Sequence, residues 1–143
     1  MLFVKDIMTY KIKTIAPSRT LRQAAKSMAA SKIGSVVVVE DQKPLGIVTE
    51  GDISRSIAKG LDPDRIRVKA IMPRKLMTTT PDERVEVAAK LMAEANVRKL
   101  PVVKDGKIVG IVTQTDIVAS SFDLVTSLKE MVRARYRPPD FQP

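Results

Sequence analysis

Leu21, Ala24, Ala25, Met28 and Ala29 fall three or four positions apart, the spacing of one apolar helix face. Thr20 and Gln23 supply a capping box at its start. Before it, residues 12–15 read as a short extended piece ending at Ala16-Pro17, since the residue before a proline is biased away from helical backbone. After the helix the period changes. Residues 36–40 are β-branched and mostly apolar, as in a strand buried on both faces. Asp41-Gln42-Lys43 makes a turn and residues 45–49 return. A second helix starts around Asp52, carries Ile53, Ile57 and Ala58, and stops at Gly60. Asp62-Pro63 then opens a connector with a cap and a proline at the first helical position, a turn that Asp64 and Arg65 also serve.

The same pattern returns 64 positions later. Val4-Lys5-Asp6-Ile7-Met8 lies over Val68-Lys69-Ala70-Ile71-Met72, and the register runs without a gap to Arg55 over Ala119. Leu21, Ala24, Ala25, Met28 and Ala29 meet Val85, Ala88, Ala89, Met92 and Ala93. Residues 36–40 meet 100–104, Asp105-Gly106-Lys107 repeats the turn, and residues 108–113 return. The second copy lacks the capping box and has Asp82 and Glu83 near its helix start. A shared register of this length marks a duplication.

Each copy is a β-α-β-β-α unit whose sheet would expose an apolar face if it stood alone. The expectation is one intertwined α/β module, in which two repeats related by a pseudo-two-fold axis pack their sheets against each other. The first repeat is set at 4–60 and the second at 61–120, with a C-terminal helix and Pro-rich tail at 121–143. Phe122, Leu124, Val125, Leu128 and Met131 continue a helical pattern there, followed by Arg133, Arg135 and Arg137 and then Pro138-Pro139. Packing on its own module or on a dimer mate is the reading of that helix. Met8, Met28, Met72 and Met92 read as core fillers.

Composition narrows the chemistry. The 143 residues are 44% apolar and only 3% aromatic, so aliphatic side chains and methionine fill the core. With no cysteine and no histidine, disulfides, thiolate zinc sites and every histidine-dependent triad are excluded. No P-loop pattern and no acidic cluster points to nucleotide hydrolysis, so no enzyme activity is expected. The net charge of +9 is spread along the chain. That suits anionic ligands or a solvated basic surface, with nucleic-acid binding as the alternative, though few aromatics are available for base stacking. The N-terminus is charged by its fifth residue and no stretch approaches a membrane span, so a cytoplasmic protein without membrane attachment is expected.

The repeat keeps few polar residues that packing would not demand. Gly46-Ile47-Val48-Thr49-Glu50-Gly51-Asp52 and Gly110-Ile111-Val112-Thr113-Gln114-Thr115-Asp116 each straddle a strand end and a helix start. Such a junction offers free backbone N–H groups and the positive end of a helix dipole, a seat for an anion. The threonine hydroxyl can reach phosphate or sugar, and the aspartate can accept both hydrogen bonds of a ribose diol. The glycine lets a backbone come close. Thr-x-x-Asp before a helix is equally a capping motif, and the pattern leaves both roles open.

These residues resemble the CBS-domain family (cystathionine β-synthase-type domains), as a tandem pair or Bateman module. The likeness covers roughly residues 4–119. It rests on Ile7-Met8 and Ile71-Met72, on Thr14-Ile15-Ala16-Pro17 and Thr78-Thr79-Thr80-Pro81, on Leu100-Pro101-Val102-Val103, and above all on the Gly-Ile-Val-Thr-x-x-Asp-Ile segments. The resemblance implies a stand-alone regulatory module that senses an adenosyl compound, with AMP, ADP or ATP foremost, with or without Mg²⁺, and signals to a partner protein or through a homodimer. It maps one nucleotide site onto Thr113, Thr115 and Asp116, with Thr9, Tyr10 and Ile12 across the cleft. It maps the other onto Thr49 and Asp52, with Arg74 and Leu76. Arg98 and Lys99 match phosphate-binding positions and are assigned to neither cleft, while their counterparts in the first repeat are Gly34 and Ser35. Many members carry arginine directly before the motif aspartate. Gly51 and Thr115 stand there in this chain, which weighs against a triphosphate. Because Thr115 offers a hydroxyl and Gly51 does not, the Asp116 site is ranked above the Asp52 site.

Overall fold

The computed structural model describes residues 1–73 and 75–135. The first repeat runs through α1 (Val4–Ile7), β1 (Thr14–Ile15), α2 (Leu21–Ser31), β2 (Ser35–Glu40), β3 (Lys43–Thr49) and α3 (Glu50–Ala58). The second has a 3₁₀ turn at Val68–Ala70 where the first has α1, then α4 (Val85–Ala95), β4 (Lys99–Lys104), β5 (Lys107–Thr113) and α5 (Gln114–Arg135). The mixed α/β architecture expected from the repeat is present.

The predicted order of helix, hairpin and helix holds in both copies, preceded by an opening turn, α1 or its 3₁₀ counterpart, that the sequence pattern did not predict. The opening strand shrinks to two residues in the first copy, where β1 pairs parallel to β2. In the second it shrinks to a single parallel bridge between Thr79 and Val102, so one sheet has three strands and the other two. Asp62-Pro63 starts no helix. Asp62 instead accepts a hydrogen bond from the Asp64 N–H at 2.9 Å and closes a turn. The C-terminal helix is not a separate element, because α5 runs unbroken for 22 residues. Its first-copy counterpart α3 stops where Gly60 takes φ +83°, and the matching position is Leu124, which gives the helix no reason to end. Of the residues expected to pack this helix, the side chains of Phe122, Leu124, Val125, Leu128 and Met131 lie outside the described residues, as do residues 136–143.

Both hairpins turn through two residues with positive φ. Asp105 and Gly106 do so at φ 53° and 76°, and Asp41 and Gln42 at 49° and 66°. Primed turns match the right-handed twist of paired strands and demand this backbone. Gly106 meets the demand freely, whereas Gln42 adopts a conformation that costs an L-residue roughly 1–2 kcal/mol.

The repeats are tied by exchange of their opening segments. The Val4 N–H donates to the Glu83 carbonyl at 2.8 Å, and the Val68 N–H donates to the Arg19 carbonyl at 2.8 Å. Those two bonds are one bond displaced by the repeat shift. Lys5 to Pro81 at 3.0 Å and Lys69 to Pro17 at 3.3 Å form a second such pair, and Val85 to Leu2 with Leu21 to Ile66 a third. The side chains follow. Val68 is fully buried with Leu21, Met28, Val36, Val38 and Val48 of the first repeat. Val4 and Met8 are buried with Ala88, Met92, Leu100, Val102 and Val112 of the second. Each core is therefore plugged by the other repeat's first residues.

The motif glycines belong to this exchange. A Cβ at Gly46 would stand 3.0 Å from the sulfur of Met72, and one at Gly110 would stand 2.8 Å from that of Met8 and 3.1 Å from the Thr9 carbonyl oxygen. The sequence suggested that these glycines let a backbone come close, and at Gly110 the Thr9 backbone does. Both also admit the methionine of the exchanged Ile-Met pair.

Burying a valine contributes about 1.5–3 kcal/mol. Val4→Ala and Val68→Ala are each expected to lower stability by about that amount, with both variants and the parent unfolding in a single urea transition. Two separated transitions, one per repeat, would contradict the exchange.

Candidate functional site: two clefts between the repeats

Thr49 and Thr113 sit where a strand stops and a helix begins, and both make full capping boxes. Thr49 Oγ1 accepts from the Asp52 N–H at 3.2 Å while Asp52 Oδ2 accepts from the Thr49 N–H at 2.9 Å. The Thr113–Asp116 pair repeats this at 3.1 and 2.9 Å. A further N–H at each helix start is taken from outside. Glu50 donates to the Gly34 carbonyl at 3.0 Å, and Gln114 donates to the Arg98 carbonyl at 2.8 Å. Of the four amides a helix start leaves open, three have partners, and only those of Gly51 and Thr115 have none among the described residues. The anion seat expected from backbone alone is thereby narrowed to one amide per repeat. An anion here must be met mainly by side chains.

Those side chains line two clefts between the repeats. The larger, about 600 Å³, is bounded by Ile47, Thr49, Gly51, Asp52 and Arg55 from the first repeat, and by Pro73, Asn96, Val97, Arg98 and Lys99 from the connector and second repeat, with Gly34, Ser35 and Glu50 completing it. The smaller, about 400 Å³, is bounded by Thr9, Lys11, Ile12, Lys13, Ile33 and Ser35 opposite Lys99, Ile111 and Thr113. Six positions correspond across the repeat shift, one of them Ser35 in the larger cleft against Lys99 in the smaller. Ile47, Thr49, Pro73, Val97 and Lys99 in the larger cleft match Ile111, Thr113, Thr9, Ile33 and Ser35 in the smaller. The clefts are two versions of one site with different side chains.

Most of the residues singled out from sequence gather there. Thr49, Asp52, Arg98 and Lys99 share the larger cleft, and Thr9, Ile12 and Thr113 share the smaller with Lys99. Others do not line it. Asp116 is half-buried and engaged in its cap, Thr115 is exposed, and Leu76 is half-buried away from both clefts. Tyr10 points outward and donates to the Lys5 carbonyl at 3.1 Å. Arg74 lies outside the described residues.

Three cations were not read from sequence. Arg55 donates to Asp52 Oδ1 at 2.8 Å, an i, i+3 pair that helical spacing could have flagged. Lys11 and Lys13 alternate along extended chain and both face the smaller cleft. The larger cleft thus has Arg55, Arg98 and Lys99 against Glu50 and Asp52, whereas the smaller has three lysines and no carboxylate among its lining residues.

A repeated β-α-β-β-α fold with exchanged opening segments and paired clefts defines a tandem ligand-binding module. The CBS-domain family model matches residues 4–59 and 68–123, and the chain belongs to that family as a tandem pair. It is 35% identical over 118 residues to the CBS domain-containing protein YhcV of Bacillus subtilis, covering 82% of this chain and 84% of YhcV. It is 38% identical over 117 residues to a homoserine O-acetyltransferase of Methanohalobium evestigatum, covering 80% of this chain but only 23% of that enzyme. Among solved structures, the CBS domain pair of protein MJ0100 in complex with 5′-methylthioadenosine and S-adenosyl-L-methionine superposes with a TM-score of 0.78 at 30% identity, covering 86% of this chain and 98% of that one. CBS pairs are regulatory ligand-binding modules. Among the described residues no helix is long and apolar enough to cross a membrane.

Proposed function

We propose that this pair binds an adenosyl compound between its repeats, with AMP, ADP or ATP as the leading candidates, and passes the bound state to a partner or to a second copy. The supporting observation is the lining of the larger cleft, which faces the diol acceptor Asp52 and the hydroxyl of Thr49 with two cations from the other repeat, Arg98 and Lys99. The likeness to a pair solved with two adenosyl ligands supports the same class. One carboxylate oxygen of Asp52 is committed to the cap, so a ribose diol would take the other by displacing Arg55. The Arg55 side chain is 67% exposed against 18% for Asp52, so on release its guanidinium regains water, which offsets part of the lost pair. The freed guanidinium then stands beside a phosphate. Among the described residues no three acidic side chains converge on a metal, so any Mg²⁺ would arrive on the phosphates of the ligand. The pair is regulatory in this reading, and any chemistry belongs to what it regulates.

Calorimetry with AMP, ADP, ATP, S-adenosylmethionine and NAD tests this reading. At least one is expected to bind, and at about 100 times its Kd to add roughly 2.7 kcal/mol of stability. Asp52→Ala is expected to weaken the best ligand about 10- to 150-fold, the loss of a charged acceptor, and 2′-deoxy ligand to bind poorly. Asp116→Ala is expected to cost about 0.5–2 kcal/mol of stability through its cap and less affinity than Asp52→Ala. This reverses the ranking drawn from sequence, because Asp52 and Arg98 line the larger cleft while Asp116 and Thr115 line neither. Equal affinity of parent, Asp52→Ala and Asp116→Ala would overturn the ribose assignment.

Association with a second copy belongs to the same proposal. A groove of about 350 Å³ between α2 and α3 is lined by Ala25, Met28, Ala29, Ile53 and Ile57, and Ile57 is 54% exposed. Val118 on α5 is 61% exposed. Apolar helix surface of this kind suits an isologous dimer. Light scattering is expected to give twice the chain mass at micromolar concentration, with Ile57→Glu shifting it toward the monomer. A monomeric parent chain would reject the dimer.

A further inference from the structure

Lys99 and Ser35 occupy the same position in the two repeats, and each lines both clefts. Their side chains meet, with Lys99 Nζ donating to Ser35 Oγ at 2.6 Å. Two residues that correspond under the repeat and touch each other mark the pseudo-two-fold axis. A lysine in each repeat would place two ammonium groups on that axis in mutual repulsion. Serine in one copy and lysine in the other leave a single cation between two sites.

We infer that Lys99 is shared by the two clefts, so that an anionic ligand in one weakens the binding of an anionic ligand in the other. The inference rests on the adenosyl-ligand reading above and adds to it a coupling between the sites. An ammonium has three donors, so with Ser35 holding one it could still touch a phosphate on each side. Charge decides against that gain. A phosphomonoester is close to a dianion above its second pKa of about 6. Set two dianions at equal distances on opposite sides of one ammonium. The second is attracted by one positive charge at that distance and repelled by two negative charges at twice that distance, and the two terms cancel. The first ligand gains the attraction of Lys99, and the second gains nothing from it. The remaining cations are private, with Arg55 and Arg98 on the larger cleft and Lys11 and Lys13 on the smaller, so both sites keep means of binding a phosphate.

The test is a cycle of calorimetric titrations with AMP on the full chain. Asp52→Ala with Arg98→Gln disables the larger cleft, and Lys11→Gln with Lys13→Gln disables the smaller without setting a carboxylate beside Lys99, so each variant reports one site. For independent sites the product of the two stepwise dissociation constants of the parent equals the product of the two single-cleft constants, whichever site fills first. Sharing is expected to make the parent's product about 5- to 150-fold larger, the usual span of coupling between sites. In a Lys99→Gln background the mutual repulsion of the two phosphates persists, and the mark of sharing is that both single-cleft chains lose AMP affinity, since each then lacks the same cation. Adenosine, which carries no phosphate, is expected to show no excess in the parent chain, a control that needs no substitution at Lys99. One AMP on the parent together with one on each single-cleft chain is the strongest form of the same result. Equal products, a single-cleft chain whose AMP affinity Lys99→Gln leaves unchanged, or an equal excess with adenosine would overturn the sharing and leave the adenosyl reading standing. So would a single-cleft chain that binds no AMP while the parent binds it. A parent chain that binds no adenosyl compound would overturn the underlying reading and the coupling with it.

Discussion

The structure depends on the exchange of two short segments. Val4 and Val68 are each fully buried in the core of the opposite repeat, and their N–H groups close matching 2.8 Å bonds to Glu83 and Arg19. A unit of this size exposes an apolar sheet face and has little core of its own. Lending the first residues of each copy to the other completes both cores at once and makes neither copy complete without its mate. The motif glycines follow from this, because Gly46 and Gly110 face the methionines that arrive with the exchanged segments.

Exchange also fixes where ligands can go. It brings the helix start of one repeat against the residues before the central strand of the other, so each cleft takes its walls from both copies. The capping boxes and the carbonyls of Gly34 and Arg98 then take three of the four backbone N–H groups at each helix start that could have met an anion. Recognition of charge passes to side chains, where the copies have diverged. One cleft has arginines beside carboxylates, the other has lysines alone, and Lys99 stands between them on the axis. The duplication supplied two equal seats, and substitution at positions such as 35 and 99 made them unequal.

The fold was legible because its signals are local and were written twice. Helix periodicity from Leu21 and Val85, the β-branched runs and the two turns needed no long-range information. What sequence could not resolve was set by contact across the repeat. The glycines read as room for a close backbone, and the methionine that also packs there was not foreseen because nothing local pairs residue 46 with residue 72. Arg98 and Lys99 stayed unassigned because only the packed pair shows which cleft they face. Thr115 and Tyr10 were placed by motif position, and helix rotation and chain direction turn both outward. The length of α5 was missed for a different reason. Gly60 marks a stop in one copy, and its absence at Leu124 is a weak signal unless the repeat is read as a comparison.

Native-state hydrogen exchange at the Val4 and Val68 amides tests the exchanged-segment architecture most directly. A short segment that packs on nothing exchanges its amides with an opening free energy near zero. If Val4 completes the second core, its amide exchanges only with global unfolding, alongside Val68 and the central strand amides, and shares their dependence on denaturant. A Val4 amide that exchanges freely while Val68 and the amides of β2 and β4 stay protected would contradict the account.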